Sequence, residues 1–216
     1  MYWRVKMSKK NVLATDLYGI TAEKYSLGRS NIEVVEEMIA AGIEIIQYRE
    51  KTKEMLDKYR ECKKIRKLTA EAGVKLIVND DVDLALSVNA DGVHIGQEDL
   101  PPSVVRDLIG PEKIIGLSTH SPEQAQTALK QAVDYIGVGP IFPTNTKENV
   151  CRAVGLDYLD YVVENIDLPF VAIGGIKEHN SGQVKDRGAD CIAMVTEIVG
   201  AEDIPNKVQS LRARLD

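Results

Sequence analysis

Lys75-Leu76-Ile77-Val78-Asn79, followed after Asp80-Asp81 and a helix-like segment beginning near Val82 by Gly92-Val93-His94-Ile95-Gly96-Gln97, reads as strand, helix, strand. Both strand runs are short, β-branched and closed by turn residues. The same rhythm continues outward in both directions. Leu17–Thr21 and Ile43–Arg49 precede the unit, and Ile114–Ser118, Tyr135–Phe142, Pro169–Gly174 and Cys191–Thr196 follow it. Helix-like segments at Asn31–Ala41, Glu54–Ala72, Pro122–Ala132, Leu156–Asn165, Glu178–Asp186 and Pro205–Leu215 lie between these runs, with Ser30, Thr52 and Ser121 placed as caps. Strict alternation calls for parallel strands, and eight units in 216 residues average 27 each, which suits a closed (β/α)8 barrel. A doubly wound sheet would want Gly-x-Gly-x-x-Gly after the first strand, where Leu17 to Glu23 offers only Gly19. The later Gly137-Val138-Gly139-Pro140 mimics it poorly, because Pro140 has no N–H for a phosphate. The expectation is an α/β protein: a single TIM barrel with parallel strands over residues 12–216, after a flexible N-terminal extension over residues 1–11.

The 27 Lys and Arg against 33 Asp and Glu leave a net charge of −6, which argues against nucleic acid as the main partner. With 44% apolar and 28% charged residues the composition is too apolar for a disordered chain. Cys62, Cys151 and Cys191 form no Cys-x-x-Cys pair, so neither a disulfide framework nor a zinc ribbon is suggested and a reducing, cytoplasmic setting is expected. No segment approaches the ~20 apolar residues of a membrane span, and no signal-length apolar run follows Arg4, Lys6, Lys9 and Lys10. The basic stretch Lys58 to Lys67 carries Leu56, Tyr59, Ile65 and Leu68 on one stripe, the pattern of a solvated outer helix face. Nothing in the sequence decides between a monomer and a homo-oligomer.

In a barrel of this kind chemistry sits where the strands stop. Strand two ends Gln47-Tyr48-Arg49-Glu50-Lys51; period two puts Gln47, Arg49 and Lys51 in phase with Ile43 and Ile45 on the inward face, and Ile46 and Tyr48 toward the helices. Buried cations at a rim call for an anion. Strand three stops at Asn79-Asp80-Asp81 and strand four near Asp99. Two carboxylates on neighbouring loops beside Arg49 and Lys51 suit a Mg²⁺-bound pyrophosphate, although Asp80, Asp81 or Asp99 could instead cap the helix or turn that follows. Ser118 lacks a Gly-x-Ser-x-Gly elbow, so a hydrolase nucleophile is not expected, and His94, His120 and His179 lack zinc spacing. Thr144, Asn145, Thr146 and Lys147 add hydroxyls and a cation after Pro143, and Gly174-Gly175 with Val195 and Thr196 match the usual phosphate site of barrels, with close packing the alternative for the glycines. One pole thus holds Arg49, Lys51, Asn79, Ser118, Lys147 and a metal, and the other holds Gly175, Val195 and Thr196 without a further cation. Two phosphorylated ligands, and a transferase joining them, are implied.

These residues resemble the thiamine phosphate synthase family, whose members condense hydroxymethylpyrimidine pyrophosphate with a thiazole phosphate and release pyrophosphate. The motifs appear in order: Tyr18-Gly19-Ile20-Thr21, Gln47 to Lys51, Val78-Asn79-Asp80, Asp91 to Asp99, Gly137 to Thr144 with Thr146-Lys147, and Ile173-Gly174-Gly175-Ile176. The resemblance implies that Gln47, Tyr48, Arg49, Glu50, Lys51, Asn79, Ser118 and Lys147 form the pyrimidine pyrophosphate site, with Arg49, Lys51, Ser118 and Lys147 acting in catalysis. It assigns Mg²⁺ to Asp80 and Asp99, and the thiazole phosphate to Thr144, Asn145, Thr146, Gly175, Val195 and Thr196. The implied reaction is a Mg-assisted dissociative substitution with a carbocation-like transition state, which requires no nucleophile or general base. Cys191-Ile192, where a Gly-Val pair is common, and Glu148 to Cys151 depart from the pattern without removing a ligand. Two rivals stay open: a thiazole tautomerase-like isomerase using His120 as base, and a non-catalytic phosphate-ligand sensor.

Overall fold

A computed structural model describes residues 12–146 and 151–215; the expected extension over residues 1–11 and Lys147 lie outside the described residues. Strands β1 (Gly19–Ile20), β2 (Ile45–Tyr48), β3 (Lys75–Asn79), β4 (Gly92–Ile95), β5 (Ile114–Thr119), β6 (Tyr135–Val138), β7 (Phe170–Ile173) and β8 (Ile192–Ala193) pair in parallel and in chain order. The ring closes where Tyr18 N donates to Ile192 O at 3.0 Å and Ile192 N donates to Asp16 O at 2.9 Å. Around it run α1 (Asn31–Ala40), α2 (Met55–Ala72), α3 (Val82–Ser87), α4 (Pro102–Ile109), α5 (Pro122–Ala128), α6 (Gly155–Asn165), α7 (Glu178–Lys185), α8 (Val195–Val199) and α9 (Ile204–Leu215). This is the TIM barrel that the alternation calls for. No helix among the described residues is long and apolar enough to cross a membrane.

Alternation along each strand divides the core in two. Ile46, Tyr48, Leu76, Val78, Val93 and Ile95 pack outward against helical residues such as Val34, Met38, Cys62 and Ile65. Tyr18, Ile20, Ile45, Ile77, Tyr135, Val171 and Ala193 fill the interior. Ile43 belongs to the outer group rather than the expected inner one, because β2 begins only at Ile45 and the preceding turn does not keep the strand's phase. Most strands are also shorter at their C-terminal ends than the apolar runs suggest, although β3 ends at Asn79 as expected and β5 runs one residue further, to Thr119. Chain expected to extend β8 to Thr196 turns instead into α8 after Met194. Ser30 and Ser121 cap α1 and α5 as expected, accepting from Glu33 N and Gln124 N. Thr52 does not cap α2, which starts after Glu54, and its backbone N and hydroxyl both donate to Glu50 at 2.8 Å.

Three aspartates pin the chain where strands begin. Asp91 Oδ2 accepts from Leu76 N at 2.8 Å and from Arg66 at 2.6 Å, and Asp134 Oδ2 accepts from Ile115 N at 2.8 Å and from Arg106 at 2.6 Å. Asp16 does the same beside the seam, taking Leu17 N at 2.8 Å and Arg212 Nε at 2.7 Å. Burial disfavours the Asp16 anion, but the Arg212 hydrogen bond and charge, with Leu17 N, outweigh it and hold the carboxyl below its ordinary 3.8. A depressed folded-state value adds stability above the unfolded value that is lost as pH falls through the folded one. Asp16→Asn should therefore cost about 1 kcal/mol at pH 7 in urea unfolding. That deficit should shrink as pH is lowered below 3.8.

Candidate active site

At the rim where the strands stop, side chains enclose a cavity of about 930 Å³. Gln47, Arg49, Lys51, Asn79, Asp80, Asp99 and Ser118 line it together with Thr144, Asn145, Thr146, Gly175, Val195 and Thr196. Lys147 lies outside the described residues. Tyr48 and Glu50 do not reach the cavity: both alternate to the outer side, where Tyr48 Oη donates to Glu61 at 2.7 Å and Glu50 receives Asn31 Nδ2 at 3.2 Å and the two Thr52 groups. Burial and the adjacent Glu61 carboxylate push the Tyr48 hydroxyl far above its ordinary range, so it serves as a permanent donor.

Local hydrogen bonds set each cavity side chain. Thr21 clamps the end of β2, its hydroxyl accepting from Arg49 N at 2.8 Å and donating to Arg49 O at 3.2 Å. Lys51 pairs with Asp80. Asp80 adopts φ +61°, a left-handed conformation that costs a non-glycine residue energy, and is held there by its N–H donating to His94 O at 2.8 Å. Neither carboxylate assigned to a metal is used up as a helix cap. Asp81 immediately precedes α3 and its carboxylate takes Lys58 Nζ at 2.9 Å, while Asp99 Oδ2 accepts from Gly96 N at 2.7 Å. Two hard oxygen donors facing a cavity that also holds Arg49 and Lys51 fit Mg²⁺, which keeps most of its shell for water and phosphate oxygens.

The second pole departs from expectation. Lys177 lines the cavity beside Gly175 and Thr196, donating to Thr196 Oγ1 at 2.6 Å and pairing with Glu197 at 3.1 Å, so this end does carry a cation. Period two from Gly175 could have flagged it, but the Gly174-Gly175 turn, with both φ positive, ends the strand phase on which such counting relies. Thr144 and Thr146 join hydroxyl to hydroxyl at 3.0 Å. A Cβ on Gly175 would lie 2.6 Å from the carbonyl oxygens of Phe142 and Pro143, so packing alone already demands glycine there. Tyr18, His94 and Tyr135, which sequence reasoning did not single out as site residues, also line the cavity. His120 does too, with Nδ1 donating to Gly139 O at 2.5 Å.

Among the described residues a group of three carboxylates close enough to share a cation lies elsewhere, at Glu23, Glu50 and Glu61, with ligand oxygens within 4.8 Å of one another. Lys53 already supplies the charge, donating to Glu61 at 2.7 Å and pairing with Glu23.

A sequence profile described as thiamine monophosphate synthase matches residues 17–198. The chain belongs to that family. It is accordingly a transferase. Its relatives include the thiamine-phosphate synthase of Pelotomaculum thermopropionicum, 68% identical with 94% of this chain and 93% of the relative covered. That of Lawsonia intracellularis is 57% identical, covering 93% and 92%. Among solved structures, thiamine phosphate pyrophosphorylase from Pyrococcus furiosus superposes with a TM-score of 0.84 at 38% identity, covering 93% of this chain and 95% of that one. A 3-hexulose-6-phosphate synthase, at TM-score 0.66 and 16% identity over 93% of this chain and 99% of that one, shares the fold alone.

The Lys53 cluster anchors the loop that carries Arg49 and Lys51. Lys53→Met, which strands three adjacent carboxylates, should destabilise by about 3 kcal/mol in thermal unfolding. Lys53→Arg should restore most of that loss.

Proposed function

We propose that the protein joins hydroxymethylpyrimidine pyrophosphate to thiazole phosphate, giving thiamine phosphate and pyrophosphate. The observation that carries this reading is one cavity with two charged poles. Arg49 and Lys51 beside Asp80 and Asp99 make one, and Lys177 with Thr144, Thr146 and Thr196 makes the other. In the reaction the bond between the pyrimidine's exocyclic carbon and the pyrophosphate oxygen breaks, and its electron pair leaves on pyrophosphate. The thiazole nitrogen lone pair then closes the new C–N bond, so no proton need change hands.

Arg49, Lys51 and Lys147 neutralise the charge that gathers on the departing group, Asn79 donates a hydrogen bond at the same end, and Ser118 stands beside them on the pyrimidine side. Mg²⁺ held by Asp80 and Asp99 would supply the remaining positive charge at the pyrophosphate oxygens. Thr144, Thr146, Gly175, Val195 and Thr196 hold the thiazole phosphate, with Lys177 as its cation. Holding both partners in one cavity supplies the proximity that a substitution between two bound ligands needs. A cytoplasmic setting accords with three unpaired cysteines.

Thiamine phosphate formation by the purified protein, followed with pyrophosphate release, tests the reading. Arg49→Ala should lower kcat by roughly 10², and Asp80→Asn and Asp99→Asn should each lower kcat and weaken the Mg²⁺ dependence. Thr196→Ala should raise KM for the thiazole phosphate about tenfold, the loss of one hydrogen bond, and move KM for the pyrimidine pyrophosphate much less. No product from the unsubstituted protein, or His120→Ala as the most damaging change, would instead favour the sensor or the isomerase.

A further inference from the structure

Five side chains form one continuous hydrogen-bonded chain inside the barrel. Gln47 Nε2 donates to Tyr18 Oη at 3.1 Å, and Tyr18 Oη meets Tyr135 Oη at 2.8 Å. Tyr135 Oη meets His94 Nδ1 at 3.0 Å, and His94 Nε2 meets Ser118 Oγ at 2.9 Å. All five line the cavity; Gln47, Tyr135, His94 and Ser118 stand on β2, β6, β4 and β5, and Tyr18 immediately precedes β1. The space for them is kept by glycine. A Cβ on Gly116 would lie 2.2 Å from Tyr135 Cζ and 2.4 Å from His94 Nδ1, so a side chain there would displace the chain's centre.

The chain has a direction. An amide nitrogen can only donate, so the Tyr18 oxygen accepts from Gln47 and its single proton goes on to Tyr135. With that orientation Tyr135 donates to His94 Nδ1, which sets the tautomer that carries its proton on Nε2. Nε2 then carries the imidazole proton and donates to Ser118 Oγ, which leaves the serine hydroxyl proton to donate elsewhere. Both tyrosines are fully buried, and burial pushes their hydroxyls above the ordinary range, so neither can interrupt the chain by ionising. Turning the Gln47 amide over would reverse every bond at once: His94 would carry its proton on Nδ1 and Ser118 would present a lone pair. The two ends are therefore correlated, and the observed orientation couples an acceptor at Gln47 to a donor at Ser118.

We propose that Tyr18, Tyr135 and His94 are positioning residues whose one-way chain presents the Gln47 amide oxygen as acceptor and the Ser118 hydroxyl as donor to an aminopyrimidine. Such a ring offers an exocyclic amino donor and ring-nitrogen acceptors, the complement of that pair. The inference rests on the proposed function for its ligand, and for its polarity on the Gln47 amide donating through Nε2.

Nitrogen-15 NMR of the three histidines in unliganded protein at neutral pH reads the polarity directly, with His94 assigned by elimination using His120→Gln and His179→Gln. The expected result is a neutral His94 protonated on Nε2. Tyr135→Phe removes the donor to Nδ1, so it should convert His94 to a mixture of tautomers and raise KM for the pyrimidine pyrophosphate roughly tenfold, leaving KM for the thiazole phosphate unchanged. A purely structural role for Tyr135 would move neither the tautomer nor one KM selectively. Protonation of His94 on Nδ1 or on both nitrogens in an active enzyme overturns the chain while the function stands, as does a Tyr135→Phe variant with an unchanged tautomer or unchanged pyrimidine KM. Absence of product from the unsubstituted protein overturns the functional reading, and with it the aminopyrimidine as ligand.

Discussion

Two backbone hydrogen bonds sit at the seam of the barrel, Ile192 N to Asp16 O and Tyr18 N to Ile192 O, between strands of only two residues each. An open eight-stranded sheet would leave two edges with unpaired backbone groups and would separate β1 from β8. The seam is reinforced from outside: Arg212, on α9, binds Asp16 and also donates to the carbonyls of Ala41 and Gly42, which tie α9 to the turn after α1. Closure matters for chemistry because the cavity draws on every strand end. Tyr18 belongs to both arrangements, its backbone in the seam and its hydroxyl between Gln47 and Tyr135.

A barrel interior is commonly filled by layers of branched aliphatic side chains. Here Ile20, Ile45, Ile77 and Val171 supply only part of the filling, and two tyrosines and a histidine join them. Buried polar groups are tolerable only when each finds its partner, since an orphaned donor costs about 1–3 kcal/mol. The chain from Gln47 to Ser118 meets that condition, and Gly116 is the steric condition for it. The same packing that closes the core therefore orients two cavity side chains, so stability and recognition share residues and a change in one is felt in the other.

Short-range periodicity carries most of what was legible in the sequence. The eight strands, the inward phase of Gln47 and Arg49, and the caps at Ser30 and Ser121 all follow from local pattern. Periodicity fails where the chain changes conformation within two or three residues. Ile43 precedes its strand, Met194 follows one that has already ended, and the positive φ values of Gly174 and Gly175 break the count that would reach Lys177. Partners distant in sequence were equally out of reach. No local rule pairs Tyr18 with Tyr135 across 117 positions, and no helix rule pairs Thr52 with Glu50 in preference to capping α2.

The segment from Gln47 to Lys51 shows how one alternating motif serves two purposes. Its odd-numbered members face the cavity; its even-numbered members, Tyr48 and Glu50, face the helices and end on Glu61, Asn31 and Thr52. The outward pair is held by charge-assisted bonds, which fix geometry more firmly than apolar contact would. Arg49 and Lys51 are long, flexible cations whose placement in the cavity depends on where their backbone stands. A loop anchored on alternate residues lets them arrive already placed, so less binding energy is spent on ordering them. Tyr48 and Glu50 can thus matter to the site without lining the cavity.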